Sequence, residues 1–171
     1  MQAVHELGHV LHAWPSGGRV QRIVLSPLEI SRTDVGPNPH PQLVAWGGPI
    51  WGCLLPLFVW QGMRLVNSRG TWWLRFFAGF CLIANGGYLL GGSISPVGDA
   101  EVLIQNGAPR VLLVLFGIVT TASGLALWNG QGKYFGIGRD SLPVDRSAAV
   151  GSLVALIATI ALELLLNALK N

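Results

Sequence analysis

Three residues near the start of the chain have the types and spacing of a metal-dependent hydrolase. His5, Glu6 and His9 form an HExxH motif in the run VHELGHVL, residues 4 to 11. Positions four apart lie on one face of a helix, so His5 and His9 can offer two neutral imidazole nitrogens to one zinc ion. Glu6 then stands beside the metal, where it can take a proton from zinc-bound water and pass it to a leaving amine. The motif therefore predicts hydrolysis of a peptide bond.

The simpler alternative is a helix whose histidines and glutamate are only solvated or hydrogen-bonded to each other. A random shuffle of this composition gives HExxH roughly 0.002 times, so chance explains the motif poorly. Ionisable groups on an apolar helix are costly without a partner or a function. The flanking residues here are apolar: Ala3, Val4, Leu7, Val10 and Leu11. Metal binding is the favoured interpretation.

The composition predicts an integral membrane protein. Hydrophobic residues make up 51% of the 171 residues and charged residues 11%, whereas soluble domains carry about 25% charged residues. The length allows one membrane-embedded domain over residues 1–171 with about four to five helical spans. The formal net charge is +3, but Lys and Arg are scattered among loops, which favours lipid headgroups over nucleic acid as their partners. Cys53 and Cys81 fall in apolar segments, so no disulfide is expected.

The first predicted helix is too short to cross a bilayer. It covers about residues 1–14 and ends at Pro15 and a Ser-Gly-Gly turn. Such a helix is about 21 Å long, against a hydrocarbon core of roughly 30 Å. Either the sequence begins inside what should be a full span, or the helix enters the membrane only partway. We favour the first, because an HExxH helix at membrane depth needs apolar turns ahead of it. No positively charged region precedes an apolar stretch, so no signal peptide is expected.

The rest of the chain predicts a helical bundle with one small β-structure. Residues 19–35 contain two short, β-branched runs separated by Ser26-Pro27, which is typical of a surface hairpin. Four apolar segments follow, at about 42–63, 72–92, 109–128 and 147–169. The predicted fold is an all-α polytopic membrane protein, a bundle of about four to five transmembrane helices with a short surface β-hairpin after the first helix.

Glycines and arginines in these segments add expectations about packing and orientation. Two pairs, Gly48 with Gly52 and Gly87 with Gly91, have the GxxxG spacing that lets helix backbones approach closely in lipid.

The membrane orientation stays open, because arginines lie at both ends of the predicted spans: Arg64, Arg69 and Arg75 at one, and Arg19, Arg22 and Arg32 at the other.

A catalytic zinc site needs a third protein ligand, which leaves the fourth position for water. Asp99 is favoured because one span crosses the membrane after the hairpin and the next returns, so its loop reaches the end of the HExxH helix. A carboxylate is an accepted third ligand beside two histidines. The alternative role for Asp99 is an N-cap of a short helix over about residues 100–106.

Three other side chains compete for the third position. His12 follows His9 on the same helix, but three ligands from one straight helix do not easily surround a tetrahedral ion. His40 lies in a Pro-rich connector, where a solvated histidine is the default. Glu163 lies inside the last apolar segment, where a carboxylate is expensive.

Asn85 lies in the middle of an apolar segment. An unpaired amide is costly in lipid, so we expect this side chain to face the bundle interior. It can donate to a developing oxyanion or hold a strand of substrate. It can also simply bond a neighbouring helix carbonyl, which is the plainer interpretation.

The order of these motifs resembles that of the site-2 protease family of intramembrane zinc metalloproteases, in particular its small bacterial members. The resemblance covers about residues 1–105. It rests on the HExxH helix, the hairpin, Gly47-Gly48-Pro49 in the next apolar segment, and Gly98-Asp99-Ala100 after the segment at 72–92. Better-known members carry Asn-Pro-x-x-Asp-Gly around the third ligand, whereas Ala100 follows Asp99 here.

The resemblance implies a multi-pass protein of the bacterial plasma membrane that cuts transmembrane segments of protein substrates. Zinc would be held by two histidines and an aspartate, with a glutamate as general base: His5, His9, Asp99 and Glu6. The hairpin would pair with an unwound substrate segment as an added strand. The residues near substrate or oxyanion would be Asn85, Gly47, Gly48 and Pro49.

Two classes of function stay open at this point. One is an intramembrane metalloprotease, and the other is a non-hydrolytic membrane protein that binds metal for transport, sensing or structure. Glu6 separates them, because only hydrolysis needs a carboxylate placed to activate water. A third possibility keeps the chemistry but uses Glu163 as the third ligand, as a membrane-anchored metalloprotease of the heat-shock type would.

Overall fold

The protein is mostly helical, with one small antiparallel sheet. The computed structural model describes residues 1–28, 30–67 and 70–168. Glu29, Arg69 and Leu169, which the predicted hairpin, loop and last segment include, lie outside the described residues. The elements in chain order are α1 (Gln2–Ala13), β1 (Val20–Val24), β2 (Arg32–Val35), α2 (Pro41–Leu65), α3 (Thr71–Ile94), α4 (Asp99–Gln105), α5 (Arg110–Trp128) and α6 (Arg146–Ala168).

Four of these helices are long and apolar enough to cross a membrane, by length and composition. They are α2, α3, α5 and α6, and they coincide with the four predicted apolar segments. The helix α1 is short, as predicted. A turn follows its last residue, Ala13, and in this turn the Gly18 amide donates to the carbonyl of Ala13 at 2.9 Å. Gly17 takes a positive φ of 75° there, which a glycine adopts without strain.

The predicted hairpin is present. Strands β1 and β2 pair antiparallel, with Val24 opposite Arg32 and Val20 opposite Val35. The sheet lies against α1 through Thr33, whose hydroxyl donates to the Glu6 side chain. The hairpin is therefore fixed beside the HExxH helix.

Helices α1 and α2 meet backbone to backbone at two glycines. A Cβ on Gly8 would run into the carbonyl of Gly47, and a Cβ on Gly47 would run into the carbonyl of Gly8 and lie 2.9 Å from the His12 ring. No side chain fits between these two helices at the contact. The HExxH helix therefore lies directly against the glycines of α2.

The two GxxxG pairs differ in whether they lie at close contacts. Gly48 and Gly52 are at tight contacts, as predicted: a Cβ on Gly48 would lie 2.6 Å from His5 Nε2, and one on Gly52 would lie 2.7 Å from the Asn85 amide. The prediction for Gly87 and Gly91 is wrong, because a Cβ on either would meet nothing within 4 Å. The α3–α5 contact uses other glycines, namely Gly79, Gly86, Gly117 and Gly124.

A small apolar core seats α4 between the longer helices. Its buried members come from four helices and the loop between α4 and α5: Ala45, Leu89, Ala100, Leu103, Ala108 and Leu113. Because Ala100 and Leu103 are fully buried there, α4 is held at the end of α3. The first residue of α4, Asp99, is thereby fixed in place.

The glycine contact gives a stability prediction. We expect Gly47→Ala to destabilise the protein by about 1–3 kcal/mol, because the new methyl group has to displace the α1 backbone. Gly62→Ala is the matched control in the same helix, where a Cβ meets nothing within 4 Å and Ala is the better helix former. Thermal unfolding of the two purified variants measures the difference. Equal midpoints would contradict the packing described for α1 and α2.

Candidate metal centre

Two histidines of α1 and an aspartate of α4 come together into a group that could hold a metal ion. The Nε2 atom of His5 is 2.8 Å from Asp99 Oδ2, and the Nε2 atom of His9 is 3.4 Å from Asp99 Oδ1. All three ligand atoms lie within 4.8 Å of one another. Ligands at 2.0–2.2 Å from a tetrahedral ion are roughly 3.4 Å apart, so the group has the right size.

The competing candidates lie elsewhere in the described chain. The His12 Nδ1 atom donates to the carbonyl of Leu43 at 2.7 Å, which ties α1 to α2. His40 is exposed and precedes the first residue of α2. Glu163 lies in α6 and is not part of the histidine–aspartate group.

Asp99 reaches the histidines because α2 and α3 carry the chain away from α1 and back. It is the first residue of α4, and the N-cap is Gly98, with no side-chain capping bond. The alternative role as an N-cap is therefore wrong for Asp99. Its amide donates to the Tyr88 hydroxyl at 2.8 Å. A side chain on Gly98 would collide with that hydroxyl, so this turn requires glycine.

The proton on His5 is fixed by Asn85, which is 1% exposed. The Asn85 Nδ2 group donates to the carbonyl of Cys81 at 2.8 Å, so its Oδ1 atom is the one that faces His5. The distance from His5 Nδ1 to this oxygen is 2.7 Å. An oxygen acceptor requires Nδ1 to be the donor, so a neutral His5 has a bare Nε2.

His9 is held in the same way by the backbone of α2. Its Nδ1 atom lies 2.8 Å from the carbonyl of Val44, and a carbonyl can only accept. Neutral His9 therefore also carries its lone pair on Nε2, and both lone pairs face the Asp99 carboxylate. Two lone pairs that face a carboxylate at 2.8 and 3.4 Å need a positive charge between them, which either a proton on each Nε2 atom or one metal ion supplies. This donor set fits a divalent metal ion bound through both Nε2 atoms.

The Asp99 carboxyl carries a negative charge in the site. Burial acts to raise its pKa, but hydrogen bonds and positive charge from protonated His5 and His9, the proton-bound form of the site, outweigh burial and hold the pKa below its ordinary value. The group is therefore ionised at neutral pH. It supplies a full negative charge to the site.

Glu6 lies beside this group without belonging to it. It is 3% exposed, and the Thr33 hydroxyl donates to its Oε2 atom at 2.7 Å. This bond occupies one carboxylate oxygen and leaves the other for a water molecule. A hydrogen bond from a neighbouring strand therefore sets the orientation of the carboxylate.

The site opens into a cleft of about 620 Å³ between α1, the hairpin and α4. His5, Glu6, His9 and Asp99 line its floor, and residues 30–35 of the hairpin line one wall. A second cleft of about 430 Å³ reaches Glu6 from the side of Met1 and Leu28. The two clefts share Glu6 and the hairpin residues Ile30 and Ser31.

The structure places the predicted substrate residues in contact with the site's scaffold. Gly47 packs on Gly8, Gly48 lies under the two imidazole rings, and Pro49 is fully buried. Asn85 uses both its amide groups, on His5 and on Cys81. The plainer interpretation expected a bond to a carbonyl of a neighbouring helix and is wrong in this respect, because the carbonyl of Cys81 belongs to the same helix, α3. A direct role of these residues toward substrate stays a prediction.

Sequence reasoning missed three partners of the site. They are Thr33, Tyr88 and the carbonyl of Val44, each of which bonds a motif residue. Thr33 and Tyr88 are ordinary residues in a strand and an apolar helix, and a backbone carbonyl carries no sequence signal.

No family model, curated protein or solved structure matches the chain. A function for this protein therefore has to be inferred from its own residues and their geometry.

The geometry predicts which side chains control metal content. We expect Asp99→Ala to lose most of the bound divalent metal, because two neutral imidazoles alone make a weak site. Glu163→Ala should keep wild-type metal content, since this carboxylate lies outside the group. Inductively coupled plasma mass spectrometry of the purified proteins gives the metal-to-protein ratio. Loss of metal in Glu163→Ala with retention in Asp99→Ala would reverse the assignment.

Proposed function

We propose that this protein is a membrane-embedded zinc metallopeptidase of the site-2 protease type, which hydrolyses peptide bonds in transmembrane segments of membrane proteins. One observation carries the proposal. His5 and His9 direct their Nε2 atoms at the Asp99 carboxylate, and the buried Glu6 lines the same cleft. A metal site with an adjacent non-ligand carboxylate is the equipment of a hydrolase.

Zinc is the metal favoured by this ligand set, since two imidazoles and one carboxylate make a common catalytic zinc site with an open fourth position. When bound, zinc lowers the pKa of a coordinated water to about 7 and polarises a carbonyl. Glu6 accepts a proton from the attacking water while the water oxygen bonds to the scissile carbonyl carbon. Glu6 then delivers that proton to the amide nitrogen as the carbon–nitrogen bond breaks.

The described surface supports a membrane location. Over the apolar window of α6 the mean hydropathy is 2.3 and no residue is buried inside the protein. Exposed apolar side chains also cover α5, including Val111, Leu115, Ile118 and Val119. In water this surface would aggregate, whereas lipid would cover it at no cost. We therefore propose a multi-pass protein of the bacterial plasma membrane.

The hairpin supports a transmembrane protein as substrate. A helical segment has to unwind before its amides can reach a metal, and an extended segment can then pair with a strand. Residues 30–35 line the cleft that holds Glu6. We propose that the substrate lies extended along this hairpin.

The alternative is a non-hydrolytic membrane protein that uses the same metal site for transport, sensing or structure. The position of Glu6 favours hydrolysis. A structural or transport site has no use for a buried carboxylate that is held by Thr33 rather than by the metal ligands.

The proposal predicts that Glu6 is dispensable for zinc and essential for cleavage. Glu6→Gln keeps the shape of the side chain but removes its basicity, so zinc content should stay near one per chain. Cleavage of a membrane-inserted helical substrate should fall by several orders of magnitude. His5→Ala should lose both zinc and cleavage. Wild-type rates in Glu6→Gln, or no cleavage by a fully zinc-loaded wild type, would favour the non-hydrolytic alternative.

A second prediction concerns Thr33, which orients the general base. Thr33→Val keeps the size of the side chain and removes the hydroxyl. We expect kcat to fall about tenfold to a hundredfold, with KM and zinc content near wild type. Thr33→Ser restores the donor and should restore most of kcat. If Ser and Val lower kcat equally, the hydroxyl does not position Glu6.

A further inference from the structure

A polar cleft lies at the end of the bundle away from the metal centre. It has a volume of about 430 Å³ and is lined by residues from α2, α3 and the segment after α5, including Arg64, Thr71, Arg75 and Tyr134. The metal centre contacts α2 near Val44 and Gly48, some four turns before Arg64 in the same helix. The two sites therefore lie toward opposite ends of α2.

The cleft carries positive charge that the described protein does not neutralise. Within residues 1–28, 30–67 and 70–168, no carboxylate forms an ion pair with Arg64 or Arg75. Arg75 donates through Nη2 to the carbonyl of Asn129 at 2.9 Å, but its Nε atom is buried without an acceptor. A buried charged donor without an acceptor is costly, and an anionic ligand is one of the few groups that would satisfy it.

The start of α3 adds to this charge. The helix begins at Thr71, which lines the cleft. Its N-cap is Gly70, which has no side chain to cap the first amides, and the first turn contains no acidic residue. The Trp73 amide donates to the Gly70 carbonyl at 3.0 Å, and the helix dipole favours an anion at this end. The helix and the two guanidinium groups thus favour the same kind of ligand.

Aromatic side chains surround the cleft. The Arg64 guanidinium lies 5.9 Å from the centre of the Trp60 ring, and Trp72 stacks on Tyr134 with ring centres 5.1 Å apart. Tryptophan and tyrosine are enriched where apolar helices leave the hydrocarbon and meet headgroups. At this headgroup level, an arginine side chain can bind two phosphate oxygens in a bidentate manner.

We infer that this cleft binds the phosphate group of an anionic phospholipid. Free phosphate shares the same chemistry, but the position at the ends of three apolar helices and the presence of Trp60, Trp72 and Tyr134 in the lining favour a lipid. The inference rests on the membrane location in the proposed function and is independent of zinc and of hydrolysis. The lipid would hold α2, α3 and the end of α5 together at one membrane face.

The test is lipid retention by the purified protein. Native mass spectrometry from detergent compares dioleoylphosphatidylglycerol with dioleoylphosphatidylcholine at equal concentrations. We expect one phosphatidylglycerol to bind at least tenfold more tightly than phosphatidylcholine. The double variant Arg64→Gln/Arg75→Gln should lose this preference. The control Arg139→Gln/Arg146→Gln removes the same charge from exposed positions outside the cleft and should keep it.

Two further measurements distinguish lipid binding from misfolding of the double variant and from binding of free phosphate. Arg64→Gln alone changes an exposed side chain, so it decides the question if the double variant fails to fold, and we expect a several-fold weaker preference. Millimolar inorganic phosphate should not displace the lipid. Equal binding of the two lipids, equal loss in both double variants, or displacement by phosphate would each overturn the inference. Zinc content and peptide cleavage, measured in parallel, report on the proposed function separately.

Discussion

The metal centre depends on where two imidazole protons are held. Asn85 and the carbonyl of Val44 each accept from an Nδ1 atom, of His5 and His9 respectively. The two Nε2 lone pairs are thereby turned toward the Asp99 carboxylate. With protons on both Nε2 atoms this is a histidine–aspartate ion pair, and with a metal ion in their place it is a coordination site. The second hydrogen bond of each histidine is thus as important for the site as the motif spacing.

Close backbone packing makes those hydrogen bonds possible. Gly8 and Gly47 let α1 approach α2 until the His9 ring reaches a main-chain carbonyl, and Gly48 leaves room for both rings. A methyl group at Gly48 would stand 2.6 Å from His5 Nε2. The hairpin adds Thr33 from the other side and orients Glu6. Helix α2 and the hairpin therefore position the side chains of α1 from two sides.

The sequence predicts those parts of the site that are local or follow from topology. The HExxH spacing brings His5 and His9 to one helix face, hydropathy marks the four long helices, and counting crossings returns Asp99 to the histidines. Contacts that depend on helix rotation could not be predicted. GxxxG spacing alone does not tell which face meets a neighbour, so the expectation for Gly87 was wrong. For the same reason Thr33 had no signal, since its contact with Glu6 depends on how the hairpin docks.

Zinc K-edge X-ray absorption of the protein loaded with one equivalent of zinc tests the metal centre most directly. We predict a four-coordinate shell of nitrogen and oxygen at about 2.0–2.2 Å, with the outer-shell scattering of two imidazoles. Replacing Asn85 with Ala should broaden that outer shell by releasing the His5 ring. A shell containing sulfur at about 2.3 Å, or one of oxygen alone, would show that zinc binds elsewhere and contradict the proposed centre.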